Sequence, residues 1–166
     1  MNYLPLYLNI TGKKILIIGG GKVAAFKLEK LLPFTDNITV WAVEVSETIL
    51  SKNVEVIKAE YTPESLADYA LIYACTNKRE LNHRIKKDAE SLNIPVNVVD
   101  NPSLCDFISP AVYAGEHFTI AVSTSGTAPA GAARIRDMIT QALPADTLEQ
   151  IVEEEKGKRE NNQEGE

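Results

Sequence analysis

The sequence predicts an α/β fold built on a parallel sheet with helices on both faces. Three observations predict it. Short apolar runs alternate with segments of helical periodicity over residues 1–110, a glycine-rich turn separates the first run from the first helix, and the pattern becomes turn-rich after residue 100. Strand–helix alternation implies parallel strands joined by crossover helices. We therefore predict a doubly wound sheet followed by a small α+β segment.

The five sheet strands are predicted where apolar residues run together without helical spacing. They cover residues 13–18, 38–42, 54–58, 69–76 and 95–99. Helices are predicted where apolar residues recur three or four positions apart. These helices cover residues 23–32, 45–50, one or two turns opened by Pro63, and residues 78–92.

Residues 101–110 form a turn-rich connection to the second part of the chain. A strand is predicted over 117–124 from its alternation, a helix over 130–143 and a short helix over 147–155. No apolar residue occurs from Glu153 onward, which predicts a disordered tail. The predicted domains are 1–112 for nucleotide binding, 113–146 as a small associating segment, and 147–166 as a short helix and tail.

Composition and charge exclude several classes of protein. Net charge is −6 over 166 residues, whereas proteins that bind nucleic acid usually carry a dense basic patch. No apolar run approaches the ~18 residues of a membrane span, and the N-terminus has no signal-peptide pattern. Cys75 and Cys105 form no metal-ligand pair, so we expect free thiols in a reducing compartment, the cytoplasm.

The turn after the first strand reads GGGKVA over residues 19–24. This is the GxGxxA pattern of Rossmann-like dinucleotide-binding domains, in which Gly19 allows the tight turn, Gly21 lets the backbone approach a pyrophosphate and Ala24 keeps helix and strand close. The phosphates would then lie at the helix N-terminus, where unpaired N–H groups and the helix dipole favour an anion. The alternative is a turn with a purely structural role.

The acid that usually binds the cofactor's ribose is missing from the end of the second strand. Glu44 is the nearest acid, and residues 38–51 contain no Arg or Lys to hold a 2′-phosphate. The lack of a cation for a 2′-phosphate favours NAD over NADP. At the end of the fourth strand, Thr76 and Asn77 are expected to face the cofactor, although Asn77 fits a helix N-cap equally well.

Asp100 closes the fifth strand at the edge where ligands bind in such sheets. Flanking apolar residues would raise its pKa toward that of a general base. The alternative is an Asx turn before Pro102. His83 is expected on a solvent-exposed helix face and His117 in a structural role, so we predict no metal site.

A second candidate site lies in the hydroxyl-rich turn between the predicted strand at 117–124 and the helix that follows. Ser123, Thr124 and Ser125 precede a helix N-terminus, which favours an anion, and Arg134 and Arg136 follow within two turns. Ordinary helix capping with solvated arginines is the alternative.

Four motifs occur in a characteristic order: GGGKVA at 19–24, NVVD at 97–100, CDFISPA at 105–111 and AVSTSGTAP at 121–129. Together with LP at 4–5 and AR at 133–134, they resemble the siroheme-synthase N-terminal family, the precorrin-2 dehydrogenases. The resemblance covers residues 4–143.

The resemblance implies oxidation of precorrin-2 to sirohydrochlorin with NAD, and iron insertion in some members. It implies a Rossmann domain followed by a segment that dimerises with a second copy. It matches Asp100 to the family's essential acid and Thr124 to a position facing the substrate. The positions that match the family's NAD contacts are Lys22, Val23, Val43 and Glu44.

We expect the family's C-terminal helical domain to be largely absent, because this sequence turns polar by residue 153, and the methyltransferase domain of the fused siroheme synthases to be absent. We therefore expect dehydrogenation and leave chelation open. A non-catalytic NAD-sensing module is the main alternative, and a chelatase without the redox step is a third. Fold alone does not decide between them. The 97–129 segment favours the enzyme, because a sensor has no need of it.

Overall fold

The computed structural model describes residues 3–99 and 101–163. The chain divides into two compact units, Met1–Ile108 and Ser109–Glu166, so the division falls four residues before the predicted boundary at 112. Among the helices of the described residues, none is long and apolar enough to cross a membrane.

The first unit contains one five-stranded parallel sheet. Its strands are β1 (Lys14–Ile18), β2 (Ile38–Trp41), β3 (Glu55–Ile57), β4 (Tyr69–Ala74) and β5 (Val96–Val98). Their order across the sheet is β3-β2-β1-β4-β5, which confirms the predicted doubly wound architecture. The strand order reverses between β1 and β4, and at this switch point a crevice for ligands opens at the carboxyl ends of the strands.

Helices cover both faces of this sheet because its strands are apolar on both sides. The helices are α1 (Lys22–Leu31), α2 (Glu47–Leu50) and α3 (Arg79–Ser91), with 3₁₀ turns at Pro63–Asp68 and Pro102–Leu104. Successive strand side chains point to opposite faces. In β1, Leu16 and Ile18 therefore pack in one core cluster with Ile85 of α3, and Ile15 and Ile17 in another with Leu28 of α1.

The second unit pairs β6 (Ala111–Ala114) with β7 (Thr119–Val122) as an antiparallel hairpin, and α4 (Pro129–Ala142) packs on both strands. Strand β6 was not predicted. Its four residues, AVYA, are all apolar, but so short a run between Pro110 and Gly115 does not by itself distinguish a strand from a loop. Pairing with β7 forms it, and the rings of Tyr113 and Phe118 stack across the turn with centroids 5.8 Å apart.

The last helix, α5 (Ala145–Gln163), corrects the prediction of a disordered tail after Glu153. Ion pairs and side-chain hydrogen bonds between residues three or four positions apart stabilise such a helix, although it has no apolar face. Lys156 Nζ lies 2.7 Å from a Glu153 carboxylate oxygen, and Gln150 donates to Glu154 at 2.9 Å.

Candidate functional site

Gly19, the first residue of the glycine turn, lies at the switch point of the sheet. It has φ +128°, a conformation that favours glycine, and its N–H donates to the carbonyl of Trp41 at 2.9 Å. A Cβ atom at this position would lie 2.5 Å from the carbonyl oxygen of Cys75, which follows β4. The turn is therefore packed directly against the end of the neighbouring strand.

Gly20 also has no room for a side chain, which the sequence interpretation missed. A Cβ there would lie 1.9 Å from the carbonyl oxygen of Glu44. The Gly20 carbonyl accepts a hydrogen bond from Ser46 N–H at 2.9 Å. The loop after β2, with Val43 and Glu44, is thus held beside the glycine turn, and both side chains are exposed. The only signal in the sequence was a third consecutive glycine.

Gly21 is the N-cap of α1, and a Cβ added there meets nothing within 4 Å. The first intrahelical bond runs from Ala25 N–H to the Gly21 carbonyl, so the N–H groups of Lys22, Val23 and Ala24 have no acceptor within the helix. Ala24 is fully buried, as its predicted packing role requires. Open space in front of unpaired N–H groups fits a pyrophosphate.

Two further observations at this edge fit a bound dinucleotide. Within residues 3–99 and 101–163, the buried side-chain polar atoms that lack a hydrogen-bond partner are the Trp41 Nε1 and the Ser46 Oγ. Trp41 ends β2, and Ser46 contacts Gly20 through its backbone. An open cleft of about 590 Å³, lined in part by Val43 and Lys78, lies at the same edge, within the size range of small-molecule sites.

Thr76 and Asn77 follow β4 at the same edge, but their side chains differ in what they contact. The Thr76 hydroxyl donates to Asn82 Oδ1 at 2.6 Å and accepts from Lys78 N–H at 3.2 Å. Asn77 is exposed, and Lys78, not Asn77, is the N-cap of α3. The hydroxyl of Thr76 is therefore committed to the protein, and Asn82, which sequence reasoning missed, orders this loop.

Asp100 lies outside the described residues, so its predicted role as a base stays a prediction. The residues on either side are anchored at the carboxyl end of β5. Val99 N–H donates to the Ala74 carbonyl at 3.1 Å, and Asn101 N–H donates to the Val98 carbonyl at 3.4 Å. The described residues Val99 and Asn101 therefore lie at the carboxyl end of β5.

The CDF motif at 105–107 folds back along β5 and holds this loop. Cys105 Sγ accepts from Val98 N–H at 3.2 Å, and Asn97 Nδ2 donates to the Phe107 carbonyl at 2.9 Å. Lys86 binds both oxygens of Asp106 at 2.6 and 2.8 Å. Part of the 97–111 signature is therefore structural.

Neither cysteine of the first unit is poised to act as a nucleophile. Burial raises the pKa of Cys75 to about 12, against a smaller opposing effect of the Lys27 ammonium. Burial also raises the pKa of Cys105. Both thiols stay protonated near neutral pH, so thiolate chemistry is not expected at this edge.

In the second unit, the hydroxyl-rich turn is largely occupied with its own backbone. Ser123 Oγ accepts from Ser125 N–H at 3.1 Å, and Thr124 Oγ1 accepts from Ala128 N–H at 3.0 Å. The side chains of Ser125 and Arg134 are exposed. Arg136 donates to the Val112 carbonyl at 3.3 Å, so it serves the fold of this unit.

The two histidines have different surroundings. His83 is exposed on α3, as predicted. In the second unit, His117 Nδ1 lies 3.2 Å from Glu149 Oε2, and Nε2 lies 3.7 Å from Glu153 Oε1. Among the described residues, no group of three or more His, Cys, Asp or Glu side chains is arranged to hold a metal ion.

Comparisons with known proteins agree with this geometry. The family model described as "Putative NAD(P)-binding" matches residues 6–111. Siroheme synthase of Psychrobacter cryohalolentis is 39% identical over 148 residues, which are 87% of this chain and 28% of that protein. Siroheme synthase of Nitrosomonas europaea is 38% identical over 150 residues, 87% of this chain and 32% of that protein. These relatives confirm the resemblance, and the chain spans about a third of their length.

A solved structure shares the fold. "SirC, precorrin-2 dehydrogenase" has a TM-score of 0.75 and 23% sequence identity, covering 88% of this chain and 74% of that one. The match supports the Rossmann-like architecture derived from the strand order.

Proposed function

Because the chain belongs to the NAD(P)-binding family whose model it matches, we propose that it binds NAD at the glycine turn and oxidises precorrin-2 to sirohydrochlorin. The observation that carries the first half is the open space at Gly21 in front of the first N–H groups of α1. The second half rests on the similarity to siroheme synthases, which extends over 87% of the chain.

The proposed cofactor contacts follow the edge of the sheet. The backbone at Gly19, Gly21 and the first turn of α1 binds the pyrophosphate, since unpaired N–H groups and the helix dipole favour an anion. The loop at Val43 and Glu44 lies beside it. We favour NAD because no cation lies between residues 38 and 51.

The chain's own contribution to the reaction is position and one base. Bound NAD supplies the acceptor for the hydride that leaves the substrate. The Asp100 carboxylate takes the proton that leaves with it, so that the substrate loses two hydrogens and two electrons. A positioned general base contributes about 10²- to 10⁴-fold in rate.

Ser123, Thr124, Ser125 and Arg134 are the proposed substrate contacts. Precorrin-2 carries many carboxylates, which suit a helix N-terminus and a guanidinium. The exposed Ser125 hydroxyl and Arg134 are the groups best placed to bind them, because Thr124 and Ser123 already accept backbone N–H groups.

We further infer a homodimer formed through the second unit. Helix α4 and its C-cap residue expose large apolar side chains: Ile135 is 46%, Met138 60% and the C-cap Leu143 47% exposed. A two-stranded hairpin is only marginally stable by itself. A second copy that covers this face would stabilise the unit. Both free cysteines suit a reducing compartment, so we place the protein in the cytoplasm.

The decisive test mixes purified protein, NAD and precorrin-2, and follows NADH formation together with the tetrapyrrole spectrum. Coupled changes in the two spectra are expected from the wild type. NAD binding without turnover would contradict the enzyme assignment and favour the sensor. Ferrous iron added afterwards tests chelation as a separate step.

A further inference from the structure

Asn82, in the first turn of α3, is a polar residue with only 1% exposure. Its polar atoms are directed at one residue. Oδ1 accepts from the Thr76 hydroxyl at 2.6 Å and from Thr76 N–H at 3.2 Å, and Nδ2 donates to the Thr76 carbonyl at 3.1 Å. One side chain thus binds the amide, the carbonyl and the hydroxyl of Thr76.

Thr76 belongs to the loop that lies against the glycine turn. The preceding residue, Cys75, donates its N–H to the Ile18 carbonyl at 2.7 Å. Its own carbonyl oxygen lies 2.5 Å from the position that a Cβ of Gly19 would take. The peptide that joins Cys75 to Thr76 is therefore adjacent to the proposed cofactor site. Asn82 fixes the orientation of this peptide by accepting the Thr76 N–H.

The Asn82 amide does not cap α3, because its bonds go to Thr76 and not to the first N–H groups of that helix. The bonds of Asn82 go instead to the strand-to-helix loop. A buried side chain that orders a loop at a binding edge acts on ligand geometry as well as on stability.

We propose that Asn82 is a positioning residue for the dinucleotide: it holds the Thr76 peptide so that the loop, with the exposed Asn77, faces the cofactor at Gly19–Gly21. This inference rests on the proposed NAD site. It assigns Thr76 a backbone role in that site, because its hydroxyl is occupied by Asn82 and Lys78.

The test is an NAD titration by fluorescence on the full chain, together with thermal unfolding. Asn82→Leu keeps the size of the side chain and removes all three bonds, and we expect NAD to bind about tenfold more weakly. Thr76→Val removes only the hydroxyl bonds, and we expect a loss between about twofold and tenfold. In the double variant the two losses of affinity are expected to be less than additive, because both changes remove the bond between the Thr76 hydroxyl and Asn82.

Thr39→Val is the matched control. Thr39 is 2% exposed on β2 and donates to Glu55 Oε2 at 2.6 Å. Its loss is expected to lower the melting temperature and leave NAD affinity unchanged, since this contact is distant in sequence and strand position from the loop. Steady-state kinetics supply a second measurement: the KM for NAD rises in Asn82→Leu while kcat at saturating NAD stays near the wild-type value.

Unchanged NAD affinity in Asn82→Leu, with a lowered melting temperature, would overturn the inference and leave the proposed function intact. Absence of NAD binding in the wild type would overturn both. If Asn82→Leu does not fold, Asn82→Ala decides, because it also removes the two bonds to the Thr76 backbone, which Thr76→Val leaves in place. A wild-type NAD affinity in Asn82→Ala rejects the positioning role.

Discussion

Substitution of Gly21 by valine separates the cofactor role of the glycine turn from its structural role. The backbone at Gly21 has φ −89°, which valine adopts without strain, and a Cβ there meets nothing within 4 Å. Valine is a poorer N-cap than glycine, which costs about 0.5–1 kcal/mol. The lower conformational entropy of the unfolded chain stabilises the folded protein by about 0.4–1 kcal/mol. The net change in the free energy of unfolding is therefore within about 1 kcal/mol.

The expected effect on cofactor binding is much larger. The valine side chain fills the space in front of the N–H groups of Lys22 and Val23. Hydrogen bonds to a charged group contribute about 1.5–3 kcal/mol each. Loss of two such bonds weakens NAD binding by at least about 100-fold.

Calorimetric titration with NAD and thermal unfolding measure the two effects side by side. The melting temperature is expected to change by no more than about 4 °C. Gly20→Ala is the matched comparison, because its Cβ would lie 1.9 Å from the Glu44 carbonyl oxygen and must destabilise the fold. If Gly21→Val binds NAD with wild-type affinity, the turn is structural and the assigned cofactor site is wrong.

Three other expectations concern the base, the dimer and an acid-sensitive contact. Asp100→Asn should keep NAD affinity and lower turnover by about 10²- to 10⁴-fold in the coupled assay; wild-type turnover would reject the base. Met138→Asp places a charge on the exposed face of α4 and should shift the protein toward monomer by light scattering, unless the wild type is already monomeric, which would refute the dimer. Desolvation acts to raise the pKa of Glu149, but hydrogen bonds from the hairpin N–H groups and the His117 ring outweigh it and hold that pKa below its ordinary value of 4.5. The stability from this contact is therefore complete above the ordinary pKa and is lost as pH falls through the lowered pKa. Acid titration followed by circular dichroism should show a smaller acid transition in Glu149→Gln, which leaves its partner His117 in place.

The sequence was most informative where structure follows from local pattern. The alternation of apolar runs with helical spacing predicted every strand of the parallel sheet, because a strand buried on both faces must be apolar along its length, as β1 and β4 are. The glycine turn was also predicted from local sequence, because the positive φ of Gly19 is a conformation that favours glycine. The parallel pairing of the strands also followed, because parallel strands need crossover helices. Their order across the sheet came from the structure.

The candidate site was predictable only in part. Gly19, Gly21 and Ala24 were identified from their spacing, but Gly20 and Asn82 were not. What constrains Gly20 is the carbonyl of Glu44, 24 positions away, and what Asn82 binds depends on how α3 packs against the loop after β4. The commitment of the Thr76 hydroxyl to that amide was invisible for the same reason.

The second unit shows the limit most clearly. Neither the four-residue strand β6 nor the full length of α5 has a strong local signal, because one is too short and the other has no apolar face in its last turns. Pairing with β7 forms the strand. Glu149 binds the N–H groups of Glu116 and His117 in the hairpin and so joins α5 to it. Local periodicity thus determined the sheet and the glycine turn, whereas contacts between residues distant in the chain decided the rest, since the energy of such contacts exists only once the chain has folded.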